Sequence, residues 1–357
     1  MRNKSMPQTE KVCGIKIWRN IMKKYLLPES GNFYKANLHC HTVLSDGCLT
    51  PEEVKELYKN AGYSVVAYTD HDILIPHHAE LSDDEFLALN GWEITFTEPQ
   101  IDELRGVKRV CHMCFIAKDP DNTKQVCWFH RKHFNKNEEK ANLADEPEFK
   151  PEYTPESINE AIARVKAAGF FVTYNHPTWS QEDYNCYTKY HGMDAMEICN
   201  YGCVCLGYPE QNDRVYDDML LAGDRIGCLG TDDNHNKHPN SIDWDSFGAW
   251  TCIKADKLDY KAITNALANG DYYASQGPDF TEISYEDGKV TVKTSPVATI
   301  AFSTGSRHAG YFGNYDGTPI TEATFELKET DNYFRITIRD ENGKPAHSRA
   351  YFLDELK

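Results

Sequence analysis

The chain has 357 residues, a net charge of −17, 40% hydrophobic and 26% charged residues, and no low-complexity tract. That length suits one large catalytic domain with a small accessory one. So acidic a surface repels phosphate backbones, which disfavours stable duplex nucleic acid, and no apolar run reaches the ~20 residues of a membrane helix.

In chain order, residues 1–32 read as an N-terminal extension. Arg2 and Lys4 are not followed by an apolar stretch or a cleavage site, so no signal peptide is read and a cytoplasmic location is expected. Asn37-Leu38-His39-Cys40-His41 ends the first strand. Residues i and i+2 of a strand share a side, so His39 and His41 can meet one metal ion. Asp46 follows in Ser45-Asp46-Gly47 as a hard oxygen donor. Thr50-Pro51-Glu52-Glu53 is a capping box with proline at the first helical position, opening a helix that runs to Gly62. Strand 63–68 ends in Thr69-Asp70-His71, and Gly91-Trp92-Glu93 comes next. A strand over 109–116 carries Cys111-His112-Met113-Cys114. With no second CxxC pair at zinc-finger spacing, its cysteines read as small buried hydrophobes. Residues 118–153 are a polar insertion with the run Trp128-Phe129-His130-Arg131-Lys132-His133. Because it follows His112, it is expected to leave the sheet at the catalytic end.

Thr154-Pro155 opens a helix with Ile158, Ala161, Ile162 and Val165 at helical spacing. Gly169 stops it, and strand 170–174 ends in Asn175-His176-Pro177. A helix over about 209–222 stops at Gly223, and strand 225–229 ends in Gly230-Thr231-Asp232-Asp233-Asn234-His235. A last helix, about 260–268, stops at Gly270. Alternating helices and short strands predict an α/β fold with a mostly parallel sheet. The polar residues fall at strand C-terminal ends, where α/β barrels carry their chemistry. One buried histidine after a strand is an ordinary core residue; the same placement four or five times is not. Beyond 278 the pattern changes to strand alternation, broken by the hairpin dipeptides Asp287-Gly288 and Asn342-Gly343. Residues 278–357 are therefore expected as a small antiparallel β module after a 33–277 catalytic domain.

Imidazole and carboxylate donors without thiolate suit Zn, Mn or Fe. In this order the elements resemble the polymerase and histidinol phosphatase (PHP) family of metal-dependent phosphoesterases. The resemblance covers roughly 33–277 through His39-x-His41, Ser45-Asp46-Gly47, Thr69-Asp70-His71, Gly91-x-Glu93, His112, Asn175-His176-Pro177 and Glu197 in Met196-Glu197-Ile198. Within the family the chain is similar to the branch with carbamate-insecticide hydrolases, through the Gly-Thr-Asp-Asp-x-His motif, Tyr-Ala-Ser-x-Gly-Pro at 273–278 and a C-terminal β tail. The resemblance implies a distorted (β/α)7 barrel holding two or three divalent ions. It assigns His39, His41, Glu93 and Asp232 to one ion. Glu93 bridges to a second with His112 and His176, and Asp46, His71 and His235 hold a third. Glu93, Asp232 and His235 are the expected catalytic residues. The chain departs from the family's usual Gly-Ser-Asp-x-His. Alignment on Gly230 makes Asp232 the ligand; alignment on His235 makes it Asp233. Neighbours on a continuing strand face opposite sides. The spacing from Gly230 assigns the ligand role to Asp232, with Asp233 hydrogen-bonding a ligand histidine or a backbone amide.

The expected reaction is hydrolysis of a small phosphate ester by a metal-bound hydroxide. Set against three divalent ions, Asp46, Glu93 and Asp232 leave the cavity cationic, which suits an anionic small-molecule substrate. Asp70 and Glu197 either orient ligand histidines or are ordinary strand-end carboxylates. Arg131, with His130 and His133, is the candidate contact for an anionic group, against a plain solvated basic patch. Two other readings stand beside this one. The first is a carbamate, amide or carboxylic ester hydrolase on the same metals, favoured by the branch resemblance and the lack of a GxxxxGK loop. The second is a non-catalytic binding protein, which the full set of ligand types opposes. No GxSxG elbow is present.

Overall fold

A computed structural model describes residues 23–100 and 106–356, so the expectation placed on Arg2 and Lys4 lies outside the described residues. The strands in chain order are β1 (Lys24–Tyr25), β2 (Asn32–Asn37), β3 (Val65–Tyr68), β4 (Leu87–Thr97), β5 (Val110–Ala117), β6 (Phe170–Asn175), β7 (Ala195–Asn200), β8 (Gly227–Thr231), β9 (Trp250–Ala255) and β10 (Tyr272–Ser275). The tail adds β11 (Phe280–Glu286), β12 (Lys289–Val297), β13 (Thr299–Thr304), β14 (Gly310–Phe312), β15 (Ile320–Glu326), β16 (Tyr333–Arg339), β17 (Pro345–Ser348) and β18 (Tyr351–Phe352).

The longer helices begin and end where local chemistry directs. In helix Pro51–Asn60, Thr50 Oγ1 accepts from Glu53 N while the Glu53 carboxylate accepts from Thr50 N, satisfying two otherwise orphaned donors. Thr154 caps Pro155–Ala167, which buries Ile158, Ala161, Ile162 and Val165 as one stripe. Asp213–Ala222 ends on Gly223 in the left-handed region, with φ 108°, a conformation glycine adopts without steric cost. No described helix is long and apolar enough to cross a membrane.

The sheet departs from the expected mostly parallel one. β2, β3 and β4 are parallel, as are β6, β7 and β8, but β5 is antiparallel to both β4 and β6. β9 is antiparallel to β2 and β10. A parallel neighbour requires a crossover connection, and β4 instead returns directly into β5. This changes the path of the insertion. β5 ends at Ala117, beside Phe170 at the start of β6. Residues 118–153 therefore leave at the end opposite His112, not at the catalytic end. They climb back outside the sheet. The Gln125 side chain bonds the Asp72 carbonyl and Leu74 N, and Asn137 Nδ2 donates to the Leu44 carbonyl.

The wall from β2 to β8 curls until its ends meet beyond the strands. Cys40 bridges Asn234 in parallel, His41 N donates to the Asn234 carbonyl at 3.0 Å, and Asp233 N donates to the His39 carbonyl at 3.0 Å. Gly230 permits a close approach here, since a Cβ would lie 2.7 Å from the Trp250 carbonyl oxygen. Alternation then sorts each strand. In β5, Cys111, Met113, Phe115 and Ala117 pack outward into the core under helix Pro155–Ala167, while His112 and Cys114 face the interior.

In the tail, Asp287 and Gly288 both take positive φ, 47° and 81°, and turn β11 into β12, as a two-residue hairpin demands. Two antiparallel sheets enclose one core built from Phe280, Ile283, Val290 and Val292 on one side and Ile300, Phe302, Ile336 and Ile338 on the other. β1, from the expected N-terminal extension, pairs with β11. Through β17 on β10 the strands β13, β14, β16 and β17 continue the sheet that holds β2 to β10.

Candidate metal centre

The candidate site gathers at the end of the curled sheet where β2, β3, β6 and β8 finish and β5 begins. His39 and His41 follow β2, His71 follows β3, His176 follows β6, and Glu93 projects inward from β4. The donor atoms face one another. His39 Nε2 lies 3.0 Å from His41 Nε2 and 3.3 Å from Glu93 Oε1. Glu93 Oε1 is also 3.0 Å from His112 Nδ1 and 3.4 Å from His176 Nε2, and its Oε2 is 2.9 Å from His71 Nδ1. Asp46 Oδ1 is 3.7 Å from His71 Nε2 and 3.4 Å from His235 Nε2. Donors about 2.1 Å from a shared ion stand roughly 3.0–3.4 Å apart in octahedral or tetrahedral arrangement, a range that holds most of these separations, with the two His71 contacts at 2.9 and 3.7 Å on either side of it.

A second observation tests the fit. Asp46 Oδ1, Glu93 Oε2 and Asp233 Oδ1 are buried and lack a hydrogen-bond partner. Buried carboxylate oxygens without partners are costly, and all three aim into the cluster. Four groups have donor atoms within 4.8 Å of one another and could each hold a metal ion: His41–Asp46–His71–His235, His39–His176–Asp233, His71–Glu93–His112 and His39–Glu93–Cys114. Such a donor set fits divalent transition metals.

The structure turns the two neighbouring aspartates the opposite way from the expectation. Asp233, not Asp232, faces the cluster, its Oδ1 3.1 Å from His39 Nε2 and 3.0 Å from His41 Nε2. Asp232 points the other way. Its Oδ1 accepts from Gly248 N and Ala249 N, and its Oδ2 accepts from Phe247 N and the Tyr58 hydroxyl. The two do face opposite sides, as alternation expects; it is the spacing from Gly230 that pointed to the residue facing away. Thr231, the last residue of β8, already turns inward to Glu197, and Asp233, at φ 51°, follows on that side. Burial pushes the Asp232 pKa up to about 6 against its four donors. Asp233 is fully buried too, but the His39 and His41 rings hold its carboxyl well below the usual range.

The surroundings fix the ligand rings. Glu197 Oε1 accepts from His39 Nδ1 at 2.7 Å, leaving the Nε2 lone pair turned inward. Its other contacts, Thr231 Oγ1, His176 N and Asn200 Nδ2, hold the carboxylate in place. His235 Nδ1 donates to the Asp233 carbonyl at 2.9 Å. Asp70 does not touch a ligand ring. It accepts from the backbone and hydroxyls of Thr42 and Ser45, clamping the loop that carries Asp46. Ser45 Oγ then lies 3.4 Å from His41 Nδ1. Burial lowers the His112 pKa to about 4, outweighing the pull of Glu93.

The cluster opens into a cavity of about 240 Å³. Arg131 does not line it. Its Nη1 donates to the Thr95 carbonyl at 3.2 Å and lies 3.7 Å from Asp72 Oδ1. His130 is turned to Glu148. Only His133 of that run nears the cluster, its ring 5.6 Å from that of His71. Sequence reasoning missed the residues that do line the cavity: Trp179, Cys203, Leu206, Lys237 and His238. It also missed Cys114, set aside as a small hydrophobe. In β5, Cys114 pairs directly with Glu93 and shares a face with His112, and that i, i+2 relation was the available signal.

No family model matches the chain, and no curated protein matches it. Solved structures do. One is a two-domain protein from Bacteroides vulgatus containing a predicted PHP-like metal-dependent phosphoesterase, at 16% identity and TM-score 0.42, covering 92% of this chain and 96% of that one. Another is a metal-dependent phosphoesterase, so described without proof of activity, from Bifidobacterium adolescentis, at 21% identity and TM-score 0.37, covering 59% and 92%. A third is an amidohydrolase from Chromobacterium violaceum with bound sulfate and no metal, at 17% identity and TM-score 0.33, covering 56% and 87%.

Proposed function

We propose that the chain is a metal-dependent hydrolase of small phosphate esters. The observation supporting this most is the convergence of His39, His41, His71, His112, His176 and His235 on Asp46, Glu93 and Asp233, whose inward oxygens are buried and unpartnered. We read the overlapping groups as positions for two or three ions, with Glu93 shared between them, and the curled wall β2–β8 as the distorted (β/α)7 barrel of the PHP resemblance. Zn, Mn or Fe bound there would supply an activated water and Lewis-acid stabilisation of phosphoryl oxygens.

The chain's own residues do the rest. Glu93, Asp233 and His235 are the proposed catalytic residues, with Asp233 replacing Asp232 in that set. Glu197 holds the Nδ1 proton of His39 and so fixes which nitrogen faces inward. Asp70 fixes the reach of Asp46 by clamping residues 42–45. The carboxylates are outnumbered by imidazoles, so a cluster loaded with divalent ions keeps net positive charge. That charge favours an anionic ester over a neutral one.

The test is metal analysis of protein purified without chelator from Mn- or Zn-supplemented cells. Phosphate release from mono- and diesters then follows, beside carbamate and carboxylic ester probes. Fewer than one ion per chain, or cleavage confined to carbamates or carboxylic esters, refutes the proposal.

A further inference from the structure

We infer that the cavity selects an amphiphilic ester, its anionic group held at Lys237 and its apolar leaving group laid against Trp179 and Leu206. This rests on the phosphoesterase reading and names the substrate class that the walls favour.

The cavity lining combines charged and apolar groups. On the rim after the closing motif, the charges other than Lys237 are already engaged. His238 Nδ1 is 2.6 Å from Asp243 Oδ2. The Asp245 carboxylate accepts from His235 N and Asn236 N. Lys237 is half exposed, and the one ion pair it makes among the described residues is with Asp46 Oδ2, at 3.9 Å. Asp46 is a candidate ligand whose charge an ion would draw on, so the ammonium is left for a ligand anion. A flexible lysine works as a point charge for a phosphoryl group without fixing its orientation.

The apolar part of the lining is built in advance. The Trp179 ring packs edge-on to His176 at 5.0 Å and lies 5.6 Å from His112. Its backbone is pinned, because Glu210, itself buried, accepts from Thr178 N and Trp179 N. Leu206 is 66% exposed yet lines the same cavity with Cys203. A lone exposed leucine is ordinary. An exposed leucine, a pinned indole and an available ammonium lining one cavity with the candidate metal ligands have the form of a ligand site: mostly apolar with a few placed polar groups. At about 240 Å³ the cavity takes a phosphoryl group and a short apolar chain.

Alkylphosphonates test this directly, because their P–C bond survives hydrolysis and binding can be read without turnover. Calorimetry on the metal-loaded full chain should show hexylphosphonate binding at least about tenfold tighter than methylphosphonate, since each buried methylene favours binding. Leu206→Asp should remove that preference. Lys237→Gln should weaken both phosphonates, and Lys237→Arg should restore them. Equal affinity for the two phosphonates, no binding of either, or binding untouched by Lys237→Gln would overturn the inference. Failure of the phosphoesterase reading would look different: hexylphosphonate would bind with the expected preference while hexyl phosphate released no phosphate.

Discussion

Replacing the two neighbouring aspartates by asparagine should produce opposite defects. Asp233→Asn removes the charge from the carboxylate 3.0–3.1 Å from the inward nitrogens of His39 and His41. Its Oδ2 accepts from Asn200 Nδ2 at 3.1 Å, a hydrogen bond that the amide oxygen of asparagine can keep. Metal affinity should fall at least as far as the 10–100-fold typical of losing a group that merely supports a ligand. Asp232→Asn meets a different environment. The carboxylate there takes three backbone N–H groups and a tyrosine hydroxyl. An amide offers one acceptor oxygen, and its NH2 must face at least one of those N–H groups. The Tyr58 hydroxyl can rotate to accept, but a backbone N–H cannot, so one buried donor is left unpaired at a cost of about 1–3 kcal/mol. Two measurements separate the variants: bound metal per chain after dialysis, and the thermal midpoint with and without added Mn or Zn. Asp233→Asn should gain little from added metal, because ligand-linked stabilisation follows affinity. Asp232→Asn should melt lower in both states and still be raised by metal. If Asp233→Asn retains its metal while Asp232→Asn loses it at an unchanged midpoint, the assignment drawn from φ and hydrogen bonding is wrong.

Three further outcomes are expected. Glu93→Gln keeps the shape but not the charge of the group shared among His39, His112, His176 and His71. It should cut metal affinity by about 100-fold or more while far-ultraviolet circular dichroism stays native; full metal content with normal turnover would show that Glu93 is not shared. Arg131→Ala should change kcat/KM for a phosphomonoester by no more than about twofold, the range of ordinary surface substitutions, because Arg131 lies outside the cavity lining; a large rise in KM would return it to the site. Glu182 is fully buried, and burial raises its pKa to about 7 even with the hydroxyls of Tyr153, Tyr174 and Tyr190 donating to it. The folded state thus binds its proton more tightly than the unfolded chain does. The resulting stabilisation is complete below the ordinary glutamate range and is lost as pH rises through about 7, on the order of 1–3 kcal/mol. Urea titrations between pH 5 and 8 should show this decline in wild type and not in Glu182→Gln; parallel profiles would count against it.

Local sequence determined the features that depend on near neighbours. Strand alternation put His39 and His41 on one side, helical spacing placed Ile158 through Val165 on one buried stripe, and the Thr50–Glu53 and Asp287-Gly288 signals set a helix start and a hairpin. Each is a property of a few consecutive residues. The kinds of candidate metal ligand were legible for the same reason: histidines and carboxylates recur at strand ends. Tertiary structure decided what depends on where the chain goes next. Asp233 rather than Asp232 faces the cluster because it lies on the same side as Thr231, which turns inward to Glu197. The donors that claim Asp232, at residues 247–249 and Tyr58, are remote in sequence. The insertion left from the unexpected end because β5 runs antiparallel, a direction set by pairing with β4 and β6 rather than by its own residues. Arg131 gave way to Lys237 at the cavity, and Cys114 came to lie against Glu93, through the same long-range pairings. A side chain's type is written in the sequence, but the direction it faces is fixed by backbone dihedrals and partners that only the folded chain brings together.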